Sequence, residues 1–288
     1  MDIKGTTRVC GLIGNPVGHS VSPAIHNNLA RLTGKDMVYT TFKVERGDVE
    51  AAVRGAYSLN ILGLNVTVPH KSEVIDSLVD IDPLAKAIGA VNTLVRVDGG
   101  FKGYNTDILG LARELEDEGI ELADSKVIIL GAGGAARAIT FLCSSKGAKK
   151  IYLLNRSVDK AQDIAVNTHF NNEKVIPMNI ADYADIPGDD YIVIQTTSVG
   201  LHPNDTAVVI DDESFYKKAA VGVDIIYNPA ETMFMKLIKA QGKKAYNGLK
   251  MLLYQGVSAY ELWNDCKITK EEADEVYKCL QKELGINE

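Results

Sequence analysis

The sequence has little that would tie its 288 residues to a metal, a membrane or a polyanion. Its four cysteines, Cys10, Cys143, Cys266 and Cys279, form no CxxC pair and have no histidine at zinc-finger spacing. This excludes a zinc ribbon and predicts reduced thiols without a disulfide. Five histidines, His19, His26, His70, His169 and His202, make no HExxH or comparable ligand set, so no metal is expected and redox chemistry would need an organic cofactor. No 18-residue apolar stretch is free of charge, so no membrane span is expected. Positive charge is also short: 31 Lys and Arg against 38 Asp and Glu leave a net charge of −7. That balance argues against nucleic-acid and anionic-membrane partners, which need a surplus of basic residues on one face. The start, MDIKGTTRV, lacks the basic region and apolar run of a secretion signal, and the expectation is a cytoplasmic protein. Repeats and low-complexity tracts are missing too. What remains is 46% hydrophobic and 24% charged, enough for two domains with separate cores. A small molecule is the expected partner, and the protein is expected to be a monomer or homodimer.

What is present centres on Val127–Arg137, VIILGAGGAAR. Four apolar residues run into Gly131, Ala132, Gly133, Gly134 and Ala135, and an alanine-rich stretch comes next. This reads as a buried strand, a tight glycine turn and a helix opening on the turn. Gly131 permits the sharp turn, Gly133 lets a pyrophosphate approach, and the helix N-terminus offers free N–H groups and positive dipole. Ala136 takes the last glycine position of GxGxxG, an accepted small-residue variant. A turn that merely joins strand to helix is the alternative; the strand before and the helix after favour a dinucleotide site.

Along the chain, residues 8–13, 37–44 and 60–68 read as strands, with helical spacing at 22–32 and 47–57 between them. This βα rhythm predicts a mostly parallel sheet. Short helices are expected at Lys71–Leu78 and Pro83–Ile88, and a hairpin at 90–97 and 99–104 across Asp98, Gly99 and Gly100. Thr106 is placed to cap a helix to about Glu118. Strands at Lys150–Asn155, Tyr191–Gln195 and Val221–Ile226, with a helix at Ala161–Thr168, make the middle of the chain a doubly wound Rossmann domain. Amphipathic helices at Leu249–Trp263 and Lys270–Leu284 complete the chain, the second with a capping box of Thr269 and Glu272. The fold class is therefore α/β with two domains: 1–105 for substrate, 106–248 for the nucleotide, and helices in 249–288 folding back onto the first.

The residues just after the second Rossmann strand indicate the nucleotide. NAD sites place an acidic residue there for the ribose hydroxyls. Here stand Asn155, Arg156 and Ser157, with Lys160 nearby, and two cations favour the extra phosphate of NADP. A solvated loop arginine is the alternative. Hydride transfer also requires a group that moves a proton. Lys71 comes after NVTVPH at an expected helix start, where the dipole disfavours a cation and would ease release of its proton; a solvated lysine is the plainer reading. Asp107, after GYNT, is either a helix cap or a site carboxylate. Ser20 and Ser22, in GNPVGHSVSP, either begin a helix or bind an anion.

Together, GNPVGHSVSPAIHN, NVTVPHK, GAVNTL, GYNTD, GAGGAAR, NRS and NGLKMLLYQG, in this order from residue 14 to residue 256, resemble the NADP-linked shikimate dehydrogenase family. The resemblance implies reversible reduction of 3-dehydroshikimate to shikimate in aromatic amino acid biosynthesis. It implies Lys71 as acid/base and Asp107 as its partner at the reacting hydroxyl. Ser20 and Ser22, helped by Tyr227, would bind the substrate carboxylate, and Asn65, Thr67, Asn92 and Gln255 the ring hydroxyls. Ile225 and Gly248 would join Gly131–Ala135, Asn155–Ser157 and Lys160 at the cofactor. Three departures stand out: Gln195 in IQTTS where the family has Asn, NRS for NRT, and Lys160 for a common Arg. The last two soften the grip on the NADP phosphate.

Two rivals remain at this level. A quinate/shikimate dehydrogenase would accept quinate and often NAD; Ser20, Ser22 and Arg156 favour shikimate and NADP. A non-catalytic dinucleotide sensor would use the same glycine turn, but it would need neither Lys71 nor Asp107.

Overall fold

A computed structural model of the chain describes residues 3–167 and 174–286. The expected helix end at Thr168 and His169 lie outside the described residues. The chain forms two compact units, Met1–Gly110 with Leu252–Glu288, and Leu111–Met251.

In the first unit β1 (Arg8–Gly14), α1 (Ser22–Thr33), β2 (Met37–Lys43), α2 (Val49–Ser58) and β3 (Gly63–Val66) alternate. They are succeeded by β4 (Asp80–Ile81), α3 (Pro83–Ile88), β5 (Thr93–Val97) and β6 (Gly100–Tyr104). The sheet order is β2-β1-β3-β5-β6-β4. β1 lies parallel to β2 and β3, whereas β5 runs antiparallel to both β3 and β6. That topology has a consequence for function: the ends of β1, β2, β3 and β6 and the start of β5 share one edge. Ile13, Leu64, Val66, Leu94 and Phe101 anchor the core beneath them.

α4 (Asp107–Asp117) leads on to the second unit. Here β7 (Lys126–Leu130), α5 (Gly134–Ser145), β8 (Lys150–Asn155), α6 (Val158–Asn167) and β9 (Val175–Asn179) precede β10 (Tyr191–Gln195), α7 (Glu213–Tyr216), β11 (Ala219–Asp224), α8 (Met233–Ala240) and β12 (Lys244–Tyr246). All pairings are parallel, in the order β12-β11-β10-β7-β8-β9. Strand order reverses between β7 and β10, the switch point at which doubly wound sheets bind nucleotides. β7 is buried at Val127–Leu130, as expected for a strand covered on both faces.

α9 (Leu249–Asn264) and α10 (Lys270–Glu283) close the chain. Within the first unit Trp263 of α9 donates its indole N–H to Leu94 O at 2.9 Å. The expected capping box of α10 is present: Thr269 Oγ1 accepts from Glu272 N and Glu272 Oε2 from Thr269 N.

Local signals misled in three places. Lys71–Leu78 is not an α-helix; only a short 3-10 turn forms at Glu73–Ser77, so Lys71 does not stand at a helix N-terminus and the dipole argument loses its premise. Thr106 does not cap α4; Asn105 Oδ1 accepts from Ile108 N at 3.3 Å while the Thr106 hydroxyl turns inward. The third strand is shorter than 60–68: Asn60 adopts a left-handed φ of 59° in the turn before it, and the strand ends at Val66.

Candidate active site

In the first unit the edge described above gathers most of the expected residues. Lys71 Nζ lies 2.6 Å from Asp107 Oδ2, both side chains only partly exposed. Asn92 Nδ2 donates to the other oxygen, Oδ1, at 2.8 Å. Asn92 is itself fixed: its Oδ1 accepts from Thr106 N at 2.7 Å and from the hydroxyls of Thr93 and Thr106 at 3.1 and 3.2 Å. Asp107 therefore has both oxygens occupied by donors from different elements, which orients the carboxylate towards the ammonium.

Asn65 stands one layer behind. Its Nδ2 donates to Thr93 Oγ1 at 3.0 Å and Asn92 O at 3.3 Å, and its Oδ1 accepts from Tyr39 OH at 2.8 Å. Both amide protons are thus committed within the protein, and only acceptor capacity remains for a ligand. Thr67 is half-buried; its hydroxyl has no partner among the described residues. Ser20 and Ser22 meet at 3.1 Å between hydroxyls, and Ser20 Oγ accepts from Ser22 N at 3.2 Å just as α1 begins. Gln255 is buried on α9 and donates to Leu252 O at 2.8 Å. His26, on α1, is no candidate acid: burial pushes it down to about 3, and its ring stacks on Tyr39 at 4.2 Å.

In the second unit the glycine turn comes directly after β7. Gly131 has φ +110°, and a Cβ there would come within 2.7 Å of Thr196 Oγ1, so no other residue fits. Gly133 ends the turn and α5 starts at Gly134; a Cβ on either would meet nothing within 4 Å. The amides of Gly133, Gly134 and Ala135 have no partner among the described residues, and neither does that of Ala132. Free amides around open space at a helix N-terminus fit a pyrophosphate.

At the neighbouring strand end, Asn155 Nδ2 donates to Ser157 O at 3.0 Å, and Asn179 Nδ2 to Arg156 O at 3.3 Å. Arg156, Ser157 and Lys160 are exposed, with Lys160 in the first turn of α6. No carboxylate among the described residues pairs with either cation. The donor set therefore fits a ribose phosphate.

Beyond β11 the chain is held by Asp224, which sequence reasoning missed. This carboxylate, 0% exposed, accepts from Thr232 Oγ1 at 2.7 Å, Ile226 N at 3.0 Å and Gln195 Nε2 at 3.3 Å. Burial raises it to about 6. The three bonds fix Ile225 and Tyr227 between them; Tyr227 is half-buried and its hydroxyl is pushed up by that burial. Gly248 is required by close approach, since a Cβ would overlap the Ile225 carbonyl. The available sequence signal for Asp224 was a lone acid ending an apolar strand.

A Rossmann sheet with a free-amide glycine turn, joined in one chain to an α/β unit bearing a lysine–carboxylate pair, defines a dinucleotide-binding α/β protein. Comparison with known proteins narrows this. The model for the shikimate dehydrogenase substrate binding domain matches residues 12–94, and that for shikimate/quinate 5-dehydrogenase matches residues 111–225. A shikimate dehydrogenase (NADP(+)) of Bacillus anthracis is 42% identical over 260 residues, 90% of this chain and 93% of that protein. A shikimate dehydrogenase solved in complex with NADP+ superposes with a TM-score of 0.86 at 36% identity, over 97% of each chain. The shikimate 5-dehydrogenase of Listeria monocytogenes, solved with shikimate and NAD, gives a TM-score of 0.87 at 29% identity, over 97% of this chain and 98% of that one. The chain belongs to the shikimate dehydrogenase family.

Proposed function

We propose that the protein is an NADP-linked oxidoreductase that reversibly reduces 3-dehydroshikimate to shikimate in aromatic amino acid biosynthesis. The observation that carries the mechanism is the Lys71–Asp107 contact of 2.6 Å with Asn92 on the second carboxylate oxygen. Held by the glycine turn and the cations after β8, a reduced nicotinamide cofactor would supply the hydride. Lys71 Nζ supplies the proton to the ketone oxygen, completing the alcohol, and in the reverse direction takes that proton back. Asp107 holds the lysine nitrogen in place, and Asn92 holds Asp107. Ser20 and Ser22 are assigned to the substrate carboxylate with Tyr227, and Asn65, Thr67, Asn92 and Gln255 to the ring hydroxyls. For Asn65 the geometry favours an accepting role.

The cofactor is assigned to Gly131–Ala135, to Asn155, Arg156, Ser157 and Lys160, and to Ile225 and Gly248. Residues 1–105 are read as the substrate-binding part, 106–248 as the NADP-binding part, and 249–288 as helices that complete the first. Cytoplasmic residence is in keeping with four free cysteines, and no described helix is long and apolar enough to cross a membrane. The protein is read as a monomer or homodimer, which sedimentation measures directly.

The decisive experiment is an absorbance assay for reduced nicotinamide that crosses shikimate and quinate with NADP and NAD. Shikimate with NADP is expected to turn over fastest. Preference for quinate with NAD would select the quinate branch, and four silent pairs would select the sensor.

A further inference from the structure

The loop after β2 carries none of the assigned site residues, yet it is bonded to the two loops that do. Val44 N donates to Gly14 O at 3.1 Å, and Asn15 Nδ2 to Glu45 Oε2 at 2.7 Å. On the side of Lys71 the joint is His70, whose ring is 0% exposed. Its Nε2 lies 2.8 Å from Val44 O and its Nδ1 3.2 Å from Glu73 Oε2. The other oxygen of Glu73 accepts from Gly47 N at 3.2 Å. His70 and Glu73 thus tie the lysine turn to the loop after β2 at two points.

The chemistry of the partners fixes where the protons sit. A carbonyl oxygen only accepts, so His70 Nε2 carries a proton. A carboxylate also only accepts, so the contact with Glu73 is a hydrogen bond in the form of the ring that carries a proton on Nδ1 as well. Meanwhile the main chain of the turn is closed on itself and on the segment that leads into β5. His70 N donates to Thr67 O at 3.0 Å, Val74 N to His70 O at 2.9 Å, and Val91 N to Lys71 O at 2.8 Å. The buried imidazole, bonded to Val44 O, opposes a shift of the turn against the loop after β2.

We propose that His70, oriented by Glu73, is a positioning residue that sets the reach of Lys71 Nζ by bonding the lysine turn to the Val44 carbonyl. The inference rests on the reading of Lys71 as the acid/base. A misplacement of about 1 Å at a reacting group costs up to about 100-fold in rate. His70→Phe, which keeps the ring and loses both bonds, should therefore lower kcat on the order of 10-fold. KM for shikimate and the Kd for NADP+ should stay within about twofold, because no ligand contact is removed. His70→Gln retains a donor for Val44 and should recover most of the loss. In a Lys71→Ala background His70→Phe should change the residual turnover little.

Wild-type kcat in His70→Phe, alongside a depleted Lys71→Ala, overturns the inference alone. So does an equal loss in both backgrounds, which would mean that His70 does not act through Lys71. Wild-type-like turnover in Lys71→Ala overturns the reading beneath it instead. Should His70→Phe fail to fold, nitrogen-15 spectra of the wild-type imidazole decide: a protonated, slowly exchanging Nε2 is expected, and an unprotonated Nε2 refutes the bond to Val44.

Discussion

Glu114, on α4, is 1% exposed, and its Oε2 has no hydrogen-bond partner among the described residues. Burial, with the nearby Glu118 charge adding to it, raises its carboxyl to about 8 from an ordinary value of 4.5; Lys250 and the Met251 amide pull the other way, and Asp117 adds slightly to the rise. Lys250 cannot cancel the effect, because it pairs with Glu118 and lies 3.8 Å from Asp117. Between pH 4.5 and 8 the unfolded chain has released a proton that the folded chain keeps, so stability falls as pH rises through this window. At about 1.4 kcal/mol per pH unit, the loss reaches roughly 3 kcal/mol at pH 7 and levels off near 4–5 above pH 8. Glu114→Gln keeps the shape and removes the titration. Relative to wild type it should gain under about 1 kcal/mol at pH 5 and roughly 3 at pH 7, a rise of about 6–12 °C in melting temperature. Any cost of the unpaired amide is the same at every pH, so the change of the difference with pH is the readout. Melting curves for both proteins at pH 5, 7 and 9 would test it. A difference that does not grow with pH refutes the reasoning.

Lys71→Ala should lower kcat on the order of 10²–10⁴-fold with the Kd for NADP+ nearly unchanged; titration calorimetry beside turnover separates the two. Arg156→Ala should weaken NADP+ by about 10–100-fold and NAD+ little, since one charge-assisted phosphate bond is worth about 1.5–3 kcal/mol. Equal losses in calorimetric Kd would remove Arg156 from the phosphate. Asp224→Asn puts an amide donor among three donors and should cost about 1–3 kcal/mol in chemical denaturation. It should also weaken nucleotide binding through Ile225, and an unaltered Kd would show that the Asp224 bonds do not serve the cofactor.

The range over which each signal acts decides how far the chain was legible. The glycine turn, the strands Lys150–Asn155 and Tyr191–Gln195, and the capping box at Thr269 and Glu272 are set by residues within a few positions of each other. Backbone conformation and periodicity therefore reveal them. The 3-10 turn at Glu73–Ser77 and the cap by Asn105 were misread because each local rule had a competitor decided elsewhere. The lysine turn is held by Val91 and Val44, far along the chain, and the Thr106 hydroxyl was drawn to Asn92. Asn65 shows the same limit within the site: the motif marks it, but only Tyr39, Thr93 and Asn92 around it reveal that both amide protons are already bonded.

The sequence by itself determined the nucleotide-binding turn, the cations just past β8, and the run of motifs that places the chain in its family. These depend on residue type and short spacing. Only the tertiary structure decided that Lys71 meets Asp107 across 36 positions, that His70 reaches Val44, and that Glu114 is sealed from water. In the first unit a sheet order of β2-β1-β3-β5-β6-β4 brings Lys71 to Asp107 and His70 to Val44. Protonation and orientation depend on neighbours that are close in space and distant in sequence.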